Sequence, residues 1–200
     1  MERILGEAKK RIFVVLVVVS TVIVVLFAAF SSASQKGAPA EFTRARESAA
    51  SVSREIVDLN GKVDAKISEA NAFETAGENN EALMRIEEAR MLNNEAYDRA
   101  FELSYHLKSL ASSLTRVSGG NRMIALEATA LDLQLVDEFI SYTKNLNSFF
   151  DSLRAAIRTG DKKEEDKVSS LLEAINKNAE KINFLNSKFL EKMRIFDSSF

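Results

Sequence analysis

Residues 12–30 form a run of nineteen residues without a charged side chain. The run consists of Val, Ile, Leu, Phe and Ala, and only Ser20 and Thr21 interrupt it. As an α-helix it would be about 28 Å long, close to the roughly 30 Å hydrocarbon core of a bilayer. A helix in lipid satisfies its own backbone hydrogen bonds, so a β-branched segment can be helical there. The run therefore predicts a transmembrane anchor helix ahead of the rest of the fold.

The basic residues that flank this run predict its orientation. Residues 9–11 are Lys-Lys-Arg, whereas the following segment, 31–41, carries only Lys36. The positive-inside rule then places residues 1–11 in the cytoplasm and the C-terminal domain on the extracytoplasmic side. Small residues at 31–34 would also suit a signal peptidase, so cleavage of the anchor stays open. An uncleaved anchor is favoured because the apolar core exceeds that of a signal peptide, which has about 7–15 residues.

The composition after the anchor indicates one helical domain. About 160 residues remain, which is enough for a single hydrophobic core. The chain contains one proline, Pro39, and seven glycines, and it is rich in residues that favour helices. A net charge of −2 argues against a nucleic-acid partner, because no basic excess is present to neutralise phosphates. The absence of cysteine excludes disulfides and thiol chemistry.

Glycines mark the joints of this domain. Gly77, the pair at 119–120 and Gly160 are typical of positions just beyond a helix C-terminus, where glycine adopts a left-handed conformation easily. They divide residues 41–200 into four predicted helices, at about 41–76, 78–118, 121–159 and 161–197, after a linker at 31–40. Short connections make consecutive helices antiparallel neighbours. The sequence thus predicts an all-α fold: an N-terminal transmembrane helix followed by an up-down-up-down four-helix bundle.

Each predicted helix carries an apolar stripe with coiled-coil-like spacing. The seven-residue repeat is clearest in the second and fourth helices, at Ala82, Ala89, Ala96, Leu103, Leu110 and Val117, and at Val168, Ile175, Ile182, Phe189 and Phe196. In the first helix Lys66 interrupts the stripe, and Ile67 is predicted to replace it. Gly61 is interpreted as a glycine within a continuous helix, with a local hinge as the alternative.

The residues that usually carry chemistry are sparse. His106 is the only histidine, and with no second histidine and no cysteine a zinc site or a histidine-based nucleophilic relay cannot be assembled from the usual residues. The acidic residues 164–166 fall in the first turn of a helix, where negative charge complements the helix dipole. Glu87 and Glu88 are interpreted as a solvated helix face. We therefore predict a non-enzymatic protein with no catalytic residue, no metal site and no cofactor.

Two further predictions concern polar positions. Asp161 is predicted to cap the fourth helix, with Glu164 completing a pair that resembles a capping box. Asn93 lies within the stripe of the second helix, where a buried amide can fix the register of the helices. The alternative is that Asn93, Tyr97 and Tyr142 line a small ligand pocket.

Surplus apolar residues lie beside the main stripes of the third and fourth helices. Any that stay exposed would form a candidate interaction surface, and the residues concerned are Leu133, Val136, Ile140, Phe150, Phe184, Leu190 and Ile195. Four antiparallel passes also return the chain to its starting end. The apolar C-terminal tail, with Phe196 and Phe200, is therefore predicted to lie near the membrane.

Residues 76–97 resemble the second half of a tetratricopeptide repeat at Gly77, Ala82, Ile86 and Ala89. The preceding helix lacks the pattern of the repeat's first half, so no function is carried over. We predict a membrane-anchored, non-catalytic protein that mediates protein–protein interaction, assembly or spacing, with membrane lipid around 12–30 and a protein partner or homo-oligomer. The alternative is a ligand-binding or sensory module, because such bundles are similar to chemoreceptor-type sensing domains.

Overall fold

A computed structural model of the chain describes residues 40–116 and 120–198. These residues form four long helices and one short helix: α1 (Ala40–Thr75), α2 (Asn79–Ser113), a 3-10 helix (Leu114–Arg116), α3 (Gly120–Thr159) and α4 (Lys162–Asp197). None of the helices described there has both the length and the apolar composition needed to cross a bilayer. The predicted anchor at 12–30 lies outside the described residues.

Polar contacts between neighbouring helices fix an antiparallel arrangement. In α1 and α2, Glu55 pairs with Arg99 and Lys66 with Glu88, each at 3.1 Å, so later positions of one helix lie beside earlier positions of the other. In α3 and α4, Glu127 pairs with Lys192 and Glu138 with Lys181, each at 2.6 Å, in the same reversed order. At the end of the bundle where α1 begins, the rings of Phe42 (α1) and the α4 residue Phe196 are 5.9 Å apart, so the last helix returns to the start of the first. The predicted all-α fold of four antiparallel helices is confirmed.

The core follows the predicted stripes. Four of the nine buried residues on α2 are alanines, among them Ala89, Ala96 and Ala100, which are fully enclosed. Small side chains let helix backbones approach closely, and α1 and α2 form the most extensive contact in the bundle. On α3 and α4 the corresponding space is filled by phenylalanines such as Phe149 and Phe189. In the core, the hairpin of α1 and α2 is therefore packed closely through small side chains, whereas the hairpin of α3 and α4 contains larger ones.

The two short hairpin turns depend on glycine. Gly77 and Gly160 have φ angles of 80° and 62°, in the left-handed region that other residues rarely adopt. Asp161 caps α4, because its carboxylate accepts a hydrogen bond of 2.9 Å from the backbone N–H of Lys163. The reciprocal half of the predicted capping box is not formed, since the Glu164 carboxylate is held by Lys167 at 2.6 Å.

In α1 the structure resolves both local ambiguities of the sequence. Ile67 is buried in the core and Lys66 lies at its edge, as predicted. The helix runs without a break through Gly61, so the interpretation of a mid-helix glycine is confirmed over that of a hinge.

Replacing Gly61 with alanine is expected to stabilise the bundle. The position is helical and exposed, and a Cβ atom there would meet nothing within 4 Å. Alanine is favoured over glycine in a helix by about 1 kcal/mol, so thermal denaturation followed by circular dichroism should show a melting temperature higher by about 2–4 °C. The matched control is Gly77→Ala, which has equal space but a positive φ and should lower the melting temperature. A decrease for Gly61→Ala would contradict the continuous helix.

Candidate interaction surface

The predicted interaction residues separate into three groups. Val136 and Phe150 are buried in the core, so they are not part of an exposed surface. Leu133, Ile140 and Leu190 are half-buried and pack against the core. Only two of the seven are exposed, both on α4: Phe184 with 60% of its area accessible and Ile195 with 41%. The buried stripes of α3 and α4 thus include residues beside the rows that the spacing of the sequence defines.

The C-terminal tail is also divided. Phe196 is 1% exposed and packs on Phe42, so it completes the core and is not free to contact lipid. Phe200 lies outside the described residues. What remains of the predicted tail at the bundle end is Ile195, which is exposed on α4.

Among the described helices, α2 has the most exposed large apolar side chains. Four exposed residues define what we call the α2 face: Met84, Met91, Phe101 and Tyr105. Tyr105 is the most exposed, at 71% of its area. This face was not predicted from the sequence, although Met84, Met91 and Tyr105 share one seven-residue row that Asp98 interrupts. The pattern was hidden because a polar residue, Asp98, occupies the third of its four positions.

Aromatic contacts extend the α2 face toward α3. The rings of Tyr97 and Phe101 meet edge to face at 4.9 Å, and the ammonium group of Lys144 on α3 lies 5.8 Å from the Tyr97 ring centre. Continuing this antiparallel register by one helical turn places Phe101 level with Ile140. The half-buried Ile140 therefore lies at the same level of the bundle as Phe101.

Three exposed carboxylates lie beside the apolar residues of the α2 face, one of them, Asp98, within the row of Met84, Met91 and Tyr105. Glu95, Asp98 and Glu102 are all exposed on the same helix. Glu102 is held by Arg99 at 2.6 Å. Exposed ion pairs of this kind contribute little to stability. An apolar centre with a charged, hydrated rim is instead the usual composition of a protein–protein interface.

The neighbouring carboxylates at the start of α2 have a different role from the predicted one. Glu88 pairs with Lys66 of α1 and with Arg85 at 2.9 Å, and Glu87 pairs with Arg90 at 3.0 Å and with Arg154 of α3. These partners, led by Arg90 for Glu87 and by Arg85 for Glu88, lower the pKa of both carboxyl groups. The interpretation of a merely solvated face was wrong, because α2 has a different neighbour on each side.

Asn93 occupies the fully buried position that was predicted for it. Its amide nitrogen donates to the backbone oxygen of Thr143 at 2.8 Å and to the side-chain oxygen of Asn147 at 2.9 Å. Both acceptors are on α3, so a shift of register would leave the amide unsatisfied. Tyr142 is buried against Phe139, whereas Tyr97 lies near the surface. The contacts of Asn93 fit the register role.

A small cavity lies where all four helices meet, near the start of α1. Its volume is about 20 Å³, and Phe42, Leu110, Asp132 and Phe196 are among the residues that line it. Asp132 is 2% exposed, and burial raises the pKa of its carboxyl group to about 7. Among the described residues its Oδ2 atom has no hydrogen-bond partner, although the buried Arg46 lines the same cavity. A space of this size holds about one water molecule.

Residues with the chemistry of metal ligands stay apart. His106 lies 3.8 Å from Glu102 on the same helix and has no further partner of that kind nearby. Within residues 40–116 and 120–198, no three His, Cys, Asp or Glu side chains are grouped so that they could hold a metal ion. The geometry of this part of the chain is that of a packed bundle with one prominent apolar face.

No protein-family model, no curated protein and no solved structure matches this chain.

Proposed function

We propose that this chain is a membrane-anchored, non-catalytic four-helix bundle that binds a protein partner through the α2 face on the extracytoplasmic side of a membrane. The apolar run at 12–30 and its basic N-terminal flank support the anchor and the orientation. The bundle that follows would serve assembly or spacing at the membrane surface.

The observation that carries the proposal is the concentration of exposed apolar side chains on α2. Of the seven large apolar residues exposed in the described part of the chain, four form the α2 face. Scattered exposed apolar residues are ordinary, whereas several on one helix face, with an acidic rim, favour contact with a partner. Exposed Met, Phe and Tyr are also side chains that interfaces prefer.

The alternative of a ligand-binding or sensory bundle has weaker support. The cavity beside Asp132 has room for about one water molecule, which is too small for an organic ligand. A ligand site elsewhere in the core would require Asn93 to exchange its helix contacts for the ligand. We therefore place the protein-binding function first.

One labelling experiment tests both the orientation and the partner. The chain lacks cysteine, so Tyr105→Cys introduces a single thiol into the α2 face. A membrane-impermeant maleimide that carries a photoreactive group should label this thiol in intact cells, because the bundle is expected outside the cytoplasm. Illumination should then produce a cross-linked product of one defined mass, detected by immunoblotting and identified by mass spectrometry.

The matched control is Lys177→Cys, at an exposed position on the outer side of α4. This thiol should be labelled equally well but should give no cross-linked product of that mass. Labelling of Tyr105→Cys only after membrane rupture would refute the orientation. Efficient labelling with the same products at both positions would refute the α2 face as the binding site.

A further inference from the structure

The end of the bundle where α1 begins, which we call the base, carries an unusual set of exposed side chains. Arg44 lies near the start of α1, Arg122 in the first turn of α3, and Arg194 in the last turn of α4, and all three are exposed. Met123 and Ile195, with 60% and 41% of their areas accessible, stand beside the last two. Three helices therefore present arginine at one end, and two of them place an apolar residue next to it.

The three arginines are available to an external anion. None of them has an ion-pair partner among the described side chains, whereas Lys192, about one turn above the base on α4, is neutralised by Glu127 at 2.6 Å. On α1 the exposed carboxylates of Glu41 and Glu47 flank Arg44, whereas the first turn of α3 and the described side chains in the last turn of α4 include arginine and no carboxylate. The ends of α3 and α4 are thus the positive part of the base, although the whole chain has a net charge of −2.

The position of the base relative to the apolar run supplies the second argument. Nine residues, 31–39, connect the run at 12–30 to the start of α1. A fully extended connection of this length spans at most about 30 Å, so a membrane-embedded run keeps the base close to the lipid headgroups. The opposite end of the bundle, with the two short hairpin turns, is farther away by about 50 Å, the length of the helices.

We propose that the base is a docking surface for anionic phospholipid headgroups. Arg44, Arg122 and Arg194 would bind headgroup phosphates, for which guanidinium has the matching fork of donors. Met123 and Ile195 would enter the interfacial layer beside them. This inference rests on the membrane anchorage proposed above, and its consequence is a bundle held upright, with the α2 face directed sideways along the membrane plane.

The test uses the full chain reconstituted in vesicles of phosphatidylcholine alone or mixed with phosphatidylglycerol. A single thiol introduced by Ser198→Cys at the base carries an environment-sensitive fluorophore, and Asn80→Cys at the opposite end provides the reference position. Quenching by a lipid-borne quencher should be strong at Ser198→Cys in the mixed vesicles, weaker in phosphatidylcholine, and weak at Asn80→Cys in both. Molar salt should reduce the quenching at the base, because it shortens the screening length to about 3 Å.

Charge-matched variants identify the responsible side chains. Arg44→Gln, Arg122→Gln and Arg194→Gln combined should remove the preference for anionic vesicles, because each arginine near such a surface strengthens binding by roughly fivefold. The control combines Arg158→Gln, Lys162→Gln and Lys163→Gln, three exposed cations at the opposite end. It changes the net charge equally and should leave the quenching unchanged.

Flotation of the vesicles on a density gradient reports anchorage separately. A chain that does not float with them would contradict the proposed anchor and, with it, the docking of the base. A chain that floats while the label at Ser198→Cys stays water-exposed would overturn only the docking. Equal quenching with and without anionic lipid, or an equal loss in both triple variants, would also overturn it.

Discussion

Ile182→Asp is expected to lower the free energy of unfolding by several kcal/mol, which is a large part of the stability of a typical domain. Ile182 lies midway along α4 and is 2% exposed, in contact with the core shared by the four helices. A carboxylate there would be removed from water without a partner, and the apolar contacts of the isoleucine would also be lost. Urea denaturation followed by circular dichroism should show a strongly reduced midpoint or an unfolded chain.

Phe184→Asp provides the matched control for this result. It introduces the same charge two residues later on α4, at a side chain that is 60% exposed. Its effect should be within about 0.5 kcal/mol, because an exposed carboxylate keeps its water. If Phe184→Asp lowered the free energy of unfolding more than Ile182→Asp, α4 would be rotated about its own axis relative to the structure described above.

The fold was accessible from the sequence because it depends on features that repeat along each helix. The spacing of Val168, Ile175, Ile182 and Phe189 identifies the buried side of α4 without knowledge of its neighbours, and all four are buried. Gly77 and Gly160 identify the two short hairpin turns, since both adopt the positive φ that the sequence suggested. Periodicity and turn chemistry are local properties, so a single sequence reports them well.

The functional surfaces were less accessible because they depend on which helices are adjacent. The spacing of a stripe indicates which side of a helix faces the core but not how wide the buried side is. For this reason Phe150 was only a candidate for the interaction surface, and it is fully buried. Glu87 and Glu88 differ by one position, yet they pair with different helices, α3 and α1. Such pairing depends on the lateral order of the helices, which spacing along one helix does not encode.

The two proposed surfaces assign different tasks to different parts of the bundle. The base combines arginine with exposed apolar residues and is proposed to face lipid, whereas the α2 face combines apolar residues with carboxylates. Carboxylates beside an anionic membrane would be repelled, so the acidic rim of the α2 face is consistent with an orientation away from the headgroups. The distribution of charge thus supports an upright bundle that offers one side to a protein partner.

The second large effect concerns pH, because Asp132 is buried in the cavity at the end of the bundle. Its pKa of about 7 in the folded chain lies above the ordinary value of 3.8. The folded state therefore retains a proton that the unfolded state has lost, and stability decreases as pH rises through this interval. The stabilising contribution is complete below about pH 4 and is lost once the pH passes about 7. A difference of about three pKa units corresponds to roughly 4 kcal/mol.

Asp132→Asn removes this titration while preserving the shape of the side chain. The variant and the unmodified chain should differ least near pH 4, and the variant should become more stable by up to roughly 4 kcal/mol at pH 8. Urea denaturation across this pH range measures the free energy of unfolding of both chains. Carboxylates such as Glu87 and Glu88 have the opposite pH dependence, but they are present in both chains, so their effect cancels from the difference. Asp137→Asn, at an exposed position on the same helix, is the control and should show no such divergence. A difference in the free energy of unfolding between Asp132→Asn and the unmodified chain that stays constant from pH 4 to 8 would mean that Asp132 is ionised in the folded state. Ionisation there requires a donor at the carboxylate and therefore a different packing of this end of the bundle.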